Sequence, residues 1–246
     1  MTATHSLLEH TATDAQLEAR KELMRLYEES PLPTEDALFN LGLWVRSGLL
    51  VKFILLADLY RRVMKVPGIL LEAGVWYGQT AALLENCRAI FETMHKQRKI
   101  LCLDSFEGYA EGKFAETGLY SAGKEYAEYL LKLLRTQAAV NVYGHQPCPH
   151  EIVVGDVCET AQKYFDEHPA ETVALAILDM GPYAPTKAVL EAMKPRLLPG
   201  SLVLLDEFTT ADMQGEAQAW LEVMGTKGYR MERLALYPSK CVAEIL

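Results

Sequence analysis

Five short apolar runs in this chain each end in an acid. Glu72, Asp104, Asp156, Asp179 and the pair Asp206-Glu207 occupy those places. A single acid there is an ordinary turn former or helix N-cap, but five runs ending alike make a pattern that two chemistries can use. A carboxylate after the second run can accept hydrogen bonds from the two hydroxyls of a ribose, and Asp104 is placed for that. Acids after the fourth and fifth runs, Asp179, Asp206 and Glu207, can hold a divalent cation through oxygen. The first run adds glycines. In Pro67-Gly68-Ile69-Leu70-Leu71-Glu72-Ala73-Gly74-Val75-Trp76-Tyr77-Gly78-Gln79-Thr80 an apolar stretch meets an acid and two glycines before a helix-compatible segment. An α/β protein brings its backbone close to a nucleotide-like ligand in this way.

The elements that must position these residues follow from the apolar period. A short run after Pro67-Gly68 and further runs at 99–103, 151–154, 173–178 and 201–205 have strand length, with helix-like segments between most of them. Strands alternating with helices require crossovers and so a parallel sheet, whose ligand crevice lies beyond the carboxyl ends of the strands. Residues 228–234 and 240–245 read as two further strands joined by a short turn after Pro238, which puts an antiparallel edge on the sheet. Upstream, residues 14–29 have helical spacing and stop at Ser30-Pro31-Leu32-Pro33. A second helical region is predicted from Thr34, as N-cap, to Tyr60-Arg61. The division expected is a helical extension over 1–66, serving as a cap or dimer contact, and a ligand-binding catalytic domain over 67–246. No repeat or low-complexity segment interrupts it.

Composition removes several classes of function. With 246 residues, half of them hydrophobic, the chain can bury a full core as one domain. A net charge of −9 with scattered Lys and Arg argues against a nucleic-acid partner. Cys87, Cys102, Cys148, Cys158 and Cys241 form no C-x-x-C pair, which fits reduced thiols in a cytoplasmic protein. No signal segment opens the chain, and its most apolar stretch, 48–60, is broken by Lys52 and Asp58, so no membrane span is expected.

The glycine loop discriminates among nucleosides. Dinucleotide binders favour G-x-G-x-x-G with an acid about 20 residues further on. Here the pattern is Glu72-x-Gly74-x-x-x-Gly78, Asp104 comes later, and Trp76-Tyr77 would crowd a pyrophosphate. A cofactor with a cationic centre and no phosphate, such as S-adenosylmethionine, suits an acid-rimmed crevice better.

Taken together, Leu71 to Gly78, Leu103-Asp104-Ser105-Phe106-Glu107-Gly108, Val154-Gly155-Asp156, Leu178-Asp179 through Tyr183-x-x-Thr186, and Leu205-Asp206-Glu207-Phe208 resemble the macrocin O-methyltransferase-like family over roughly residues 34–210. That family comprises class I S-adenosylmethionine-dependent methyltransferases of sugar hydroxyls and related natural products. The resemblance implies a Rossmann-like α/β fold with a mostly parallel seven-stranded sheet, an antiparallel edge strand and an N-terminal helical extension. It implies that Glu72, Gly74, Tyr77, Gly78 and Thr80 surround the methionine part of the cofactor. Asp104 would take the ribose with Ser105 and Phe106 beside it, and Asp156 and Val157 would lie near the adenine. Asp179, Asp206 and Glu207 match acids that hold Mg2+ next to the acceptor hydroxyl, Asp179 being the catalytic candidate. A small-molecule acceptor and a homodimer or higher homo-oligomer complete the expectation.

One departure matters. The family's Asp-x-Asp-x-Tyr is here Asp179-Met180-Gly181-Pro182-Tyr183, so Gly181 replaces an acid. Either the remaining carboxylates suffice for magnesium, which usually keeps several waters, or the metal is lost and the pocket serves another use of the sulfonium. The alternatives are N- or C-methylation, cyclisation or cleavage of the cofactor, a nicotinamide-dependent oxidoreductase, and a binding module without activity.

Other residues carry paired readings. Tyr120, Tyr126 and Tyr129, in an insertion over 109–150 with a helix around 126–134, can touch an acceptor or face the core. His145, Cys148 and His150 match no metal-ligand spacing and are expected in a solvent-exposed Pro-rich loop. Trp44 and Trp76 are read as packing residues, Trp76 near the pocket. Met213-Gln214-Gly215-Glu216 can form a loop over the site, with Glu216 either functional or a helix start.

Overall fold

Alternation of short apolar strands with amphipathic helices produces a three-layer sandwich. A computed structural model describes residues 13–93, 98–109, 120–141, 149–210 and 214–246; His145, Cys148 and Met213 lie outside them. The strands are β1 (Ile69–Ala73), β2 (Ile100–Asp104), β3 (His150–Val154), β4 (Val173–Leu178), β5 (Leu197–Leu205), β6 (Tyr229–Arg233) and β7 (Cys241–Ile245). They form one seven-stranded sheet in the order β3-β2-β1-β4-β5-β7-β6. The first five are parallel, and β7 runs antiparallel to both β5 and β6. From β1 the chain winds outward through β2 and β3, then returns to lay β4 on the other side of β1. The reversal opens a crevice at the carboxyl ends of β1 and β4.

Side chains alternate along each strand, and the two faces build two cores. Leu70, Ile100, Cys102, Leu175, Ile177, Leu202 and Leu204 point to the face covered by α3 (Ser47–Val63), α4 (Gln79–Phe91) and α5 (Tyr126–Asn141). Leu71, Leu101, Leu103, Ala176, Leu178, Val203 and Leu205 point to the face covered by α6 (Val157–Glu167), α7 (Tyr183–Met193) and α8 (Gly215–Met224). Burial on both faces explains why β4 is apolar at every position.

The extension departs from the expected pair of helices. α1 (Asp14–Glu28) is closed by a capping box between Thr13 and Gln16 and buries no residue. The predicted helix from Thr34 is broken. α2 (Thr34–Phe39) has Pro33 at its N-cap, so Thr34 does not cap it, and Asn40 ends it at φ −111°, ψ 27°. A 3-10 turn at Leu41–Leu43 follows, and α3 restarts after Arg46 in extended conformation. Asn40 and Gly42 have low helix propensity, and the interruption falls there. Among the described residues no helix is long and apolar enough to cross a membrane.

His150 corrects another expectation. It begins β3 rather than a solvent loop, and it is buried with its Nε2 2.7 Å from Glu85 Oε2. Glu85 also pairs with buried Arg88, whose Nη1 donates to the Arg98 carbonyl. A histidine that follows prolines is drawn inside because α4 presents a buried carboxylate to the start of β3.

Candidate functional site

The turn after β1 is held in a shape few residues permit. Gly74, Trp76 and Gly78 have φ of 86°, 51° and 73°, and the Gly78 N–H closes the turn on the Val75 carbonyl at 2.8 Å. A Cβ at Gly74 would lie 2.0 Å from the Asp179 carbonyl oxygen, and one at Gly78 would lie 2.4 Å from Leu130 Cδ1. Both positions therefore require glycine. Gly78 is the N-cap of α4, so helix amides open toward the crevice.

Asp104 fixes this turn. The Val75 and Trp76 amides donate to its Oδ2 at 2.5 and 2.8 Å, and the Phe106 amide donates to its Oδ1 at 2.7 Å. A carboxylate has about four acceptor positions, so the acid expected at a ribose is also the clamp of the glycine turn. Ser105 accepts from the Glu107 amide. Phe106, at φ 58°, sends its side chain wholly into the core, and only its backbone remains at the rim. Asp156 caps α6 by accepting from Cys158 N at 2.9 Å, and Val157 is buried.

Glu72 lies in β1 and is buried; its Oε2 has no partner among the described residues. Burial pushes its carboxyl up to about 8, while Lys52 and a hydrogen bond from buried Thr80 act to lower it. An unpartnered buried acceptor beside two glycines that leave no room for a Cβ fits a ligand carrying a donor or positive charge. S-adenosylmethionine is such a ligand, and Tyr77 is exposed on the same turn.

On the other side of the crevice, Asp179 is exposed at the end of β4, and its amide donates to the Ala73 carbonyl at 2.9 Å. Burial and the negative field of Glu207 and Asp179 raise the Tyr109 phenol, and burial with the same two acids raises Tyr120. Both tyrosines thus face the acids. They begin an aromatic run in which successive ring centroids of Tyr109, Tyr120, Trp76, Tyr77, Tyr126 and Tyr129 lie 4.5–5.5 Å apart. Trp76 is therefore part of the wall rather than a core residue.

Glu216, at the start of α8 (Gly215–Met224), is fully buried and joins two turns. Its Oε2 accepts from Glu207 N at 2.8 Å and its Oε1 from Gly181 N at 3.4 Å. Burial pushes its carboxyl up to about 8, with Asp179 and Glu207 adding to the rise. Gly181 has φ 78°, and a Cβ on Gly215 would lie 2.6 Å from the Gly181 carbonyl oxygen. Gly181, where the resemblance would put an acid, thus sits in a left-handed turn packed against α8.

The expected magnesium ligands do not form a cage. Among the described residues no three His, Cys, Asp or Glu side chains are arranged to hold a metal ion. Asp206 is instead paired with the ammonium of buried Lys240. Burial lowers Lys240 to about 8, against the raising effect of Asp179 and with Lys52 lowering it further. With an ammonium already against Asp206, these residues as they stand do not fit a bound Mg2+. Lys240, Lys52 and Tyr109 were not anticipated; Lys240 could have been found by noting that an antiparallel strand beside β5 begins on the rim where β5 ends.

Comparison with known proteins gives the family and agrees with the fold. A family model described as Macrocin-O-methyltransferase (TylF) matches residues 56–227. A search of curated proteins gave no match. Among solved structures, CalS11, a calicheamicin methyltransferase, is 31% identical over 95% of this chain and 93% of its own, with a TM-score of 0.88. The apo structure of CalS11, described as a TDP-rhamnose 3'-O-methyltransferase in calicheamicin biosynthesis, is 30% identical over 95% of each chain, with a TM-score of 0.84. The O-methyltransferase NovP shares the fold at 16% identity, 79% coverage of each chain and a TM-score of 0.62. These matches leave the nicotinamide alternative without support, and the chain belongs to the macrocin O-methyltransferase (TylF) family of S-adenosylmethionine-dependent O-methyltransferases of natural-product biosynthesis.

Proposed function

We propose that the acceptor is a sugar hydroxyl, carried on a sugar nucleotide or a glycosylated natural product, and that Asp179 removes its proton. The observation that supports this reading is the close backbone approach of Gly74 to Asp179, at the end of β4 where Asp179 is exposed. The CalS11 description as a TDP-rhamnose methyltransferase supports the substrate class.

Glu72 and Thr80, with the backbone of Gly74, Tyr77 and Gly78, would hold the methionine part of the cofactor. Asp104 would use its remaining acceptor capacity for a ribose hydroxyl, with Ser105 and the Phe106 backbone alongside. Asp156 and Val157 would border the adenine. When bound, S-adenosylmethionine supplies an electrophilic methyl group on a sulfonium. The aromatic run from Tyr109 to Tyr126 excludes water and orients the sugar ring, and Asp179 holds the hydroxyl and accepts its proton.

The test is incubation with labelled S-adenosylmethionine and TDP-rhamnose, followed by a panel of other deoxysugar nucleotides and glycosides. Methyl ether and S-adenosylhomocysteine should form together, and Asp179→Asn should lower kcat by about 10²–10⁴-fold. Methylthioadenosine formed without an acceptor would instead support cyclisation or cleavage of the cofactor, the reading that Gly181 motivates.

For residues 1–66 the reading is a subunit contact or cap. α1 and α2 bury nothing, while Met24, Tyr27, Leu38, Phe39 and Leu43 are exposed, and light scattering that finds a monomer would remove the subunit contact. A cytoplasmic setting is supported by the free thiols of Cys87, Cys102, Cys158 and Cys241.

A further inference from the structure

Lys240 reaches the crevice through strand register. Leu205, the last residue of β5, pairs with Cys241, the first of antiparallel β7. The residue after β5, Asp206, and the residue before β7, Lys240, are thereby brought face to face on the rim. They form an ion pair, and Lys240 is only 8% exposed. The ammonium also lies 4.3 Å from the centroid of the Tyr237 ring.

The lysine backbone is fixed on both sides. Its N–H donates to the Tyr237 carbonyl at 2.9 Å, and its carbonyl accepts from Leu234 N at 3.0 Å. The turn after β5 is tied to the same segment by Thr209 Oγ1, which donates to the Pro238 carbonyl at 2.8 Å. The root of this buried side chain is therefore fixed on the rim beside Asp206.

We propose that the Lys240 ammonium occupies the place of a divalent cation in the acceptor site, so that Asp206 is engaged and Asp179 is faced by a lysine rather than by a metal. The use of that place for an acceptor oxygen rests on the reading of Asp179 given above. A lysine ammonium has three donors, and Asp206 is one partner, which leaves donors for an acceptor oxygen.

The neighbouring carboxylates agree with this arrangement. The turn after β4 has Gly181 where an acid would add a ligand, and both oxygens of Glu216 accept backbone amides instead of turning into the crevice. A Mg2+ set against Asp206 would meet the ammonium in a poorly solvated site, where like charges repel strongly. Lys52 of α3 contributes a second positive field at Lys240 and at Glu72.

The test is a titration of Mn2+, an oxygen-seeking stand-in for Mg2+, into the full chain, with free Mn2+ followed by electron paramagnetic resonance. It is run with and without S-adenosylhomocysteine, whose own binding is measured by calorimetry on the same samples. The wild type should bind Mn2+ no more tightly than about millimolar. Lys240→Ala should gain one Mn2+ per chain at least about tenfold more tightly, and Asp206→Asn in that background should abolish the gain. Lys240→Gln, which keeps most of the stem over Tyr237, repeats the measurement if truncation to alanine unfolds the chain. Equal Mn2+ affinity in wild type and variant, whether tight or absent, overturns the proposal. Wild-type protein that fails to bind S-adenosylhomocysteine would instead overturn the cofactor-site reading, and the Mn2+ comparison would still decide the place of Lys240.

Discussion

The alpha carbon of Gly74 lies so close to the Asp179 carbonyl that a Cβ there would stand 2.0 Å from its oxygen. The turn proposed to serve the cofactor and the turn that carries Asp179 are thus one mechanical unit. Gly74→Ala adds a left-handed strain to that collision. We predict a loss of about 3–5 kcal/mol in urea unfolding, or no folded protein.

Asp104 gathers three backbone amides. Asp104→Asn keeps the shape, but it removes the charge and turns one oxygen into a donor facing an amide. Calorimetry should find S-adenosylhomocysteine bound about 10–100-fold more weakly, with unfolding eased by about 1–3 kcal/mol. Unchanged affinity would mean that the turn keeps its shape without the clamp.

Glu216 joins the turns after β4 and β5 from inside. Glu216→Ala leaves the Gly181 and Glu207 amides without their buried acceptor, at a cost of about 2–4 kcal/mol by denaturant titration. Glu216→Gln retains one acceptor oxygen and should cost less than half as much.

The buried Glu72 couples stability to pH. Its carboxyl ionises near 4.5 in an unfolded chain and at about 8 when buried. Between these values the native protein keeps a proton that the unfolded chain has released. The contribution of this group to the stability of the ligand-free protein therefore falls as pH rises from about 5 to 8 and is constant above, with an upper bound of about 5 kcal/mol. Glu72→Gln should flatten that slope in urea titrations run across the window, leaving only the part contributed by Glu216. A slope of the same size in the variant would assign the proton elsewhere.

Much of this was legible because parallel strands share a rim. Glu72, Asp104, Asp179 and Asp206 could be placed together from the fact that each ends an apolar run, and Gly74 and Gly78 from the turn that must follow. The antiparallel edge was visible in the two runs beside Pro238. What local pattern could not supply depended on distant partners. His150 is buried because Glu85 and Arg88 are there to meet it, and no signal near His150 carries that information. Phe106 turns inward through one left-handed residue, whereas the family resemblance implied a place beside the ribose. Lys240 required the register of β7 against β5. The helix expected through residues 34–61 failed at Asn40, where low local propensity outweighed an apolar spacing that fits a helix on either side.

The strand order has a consequence for how the molecule is made. β7 lies between β5 and β6 although it follows both in the chain, so during synthesis β5 remains an open edge until residues 241–245 leave the ribosome. The glycine turn and Asp104 rest on β1, β2 and β4, all earlier in the chain. Asp206 meets Lys240 only once residues 240–245 have paired along β5, so the ion pair on the rim depends on the last of the seven strands to be made.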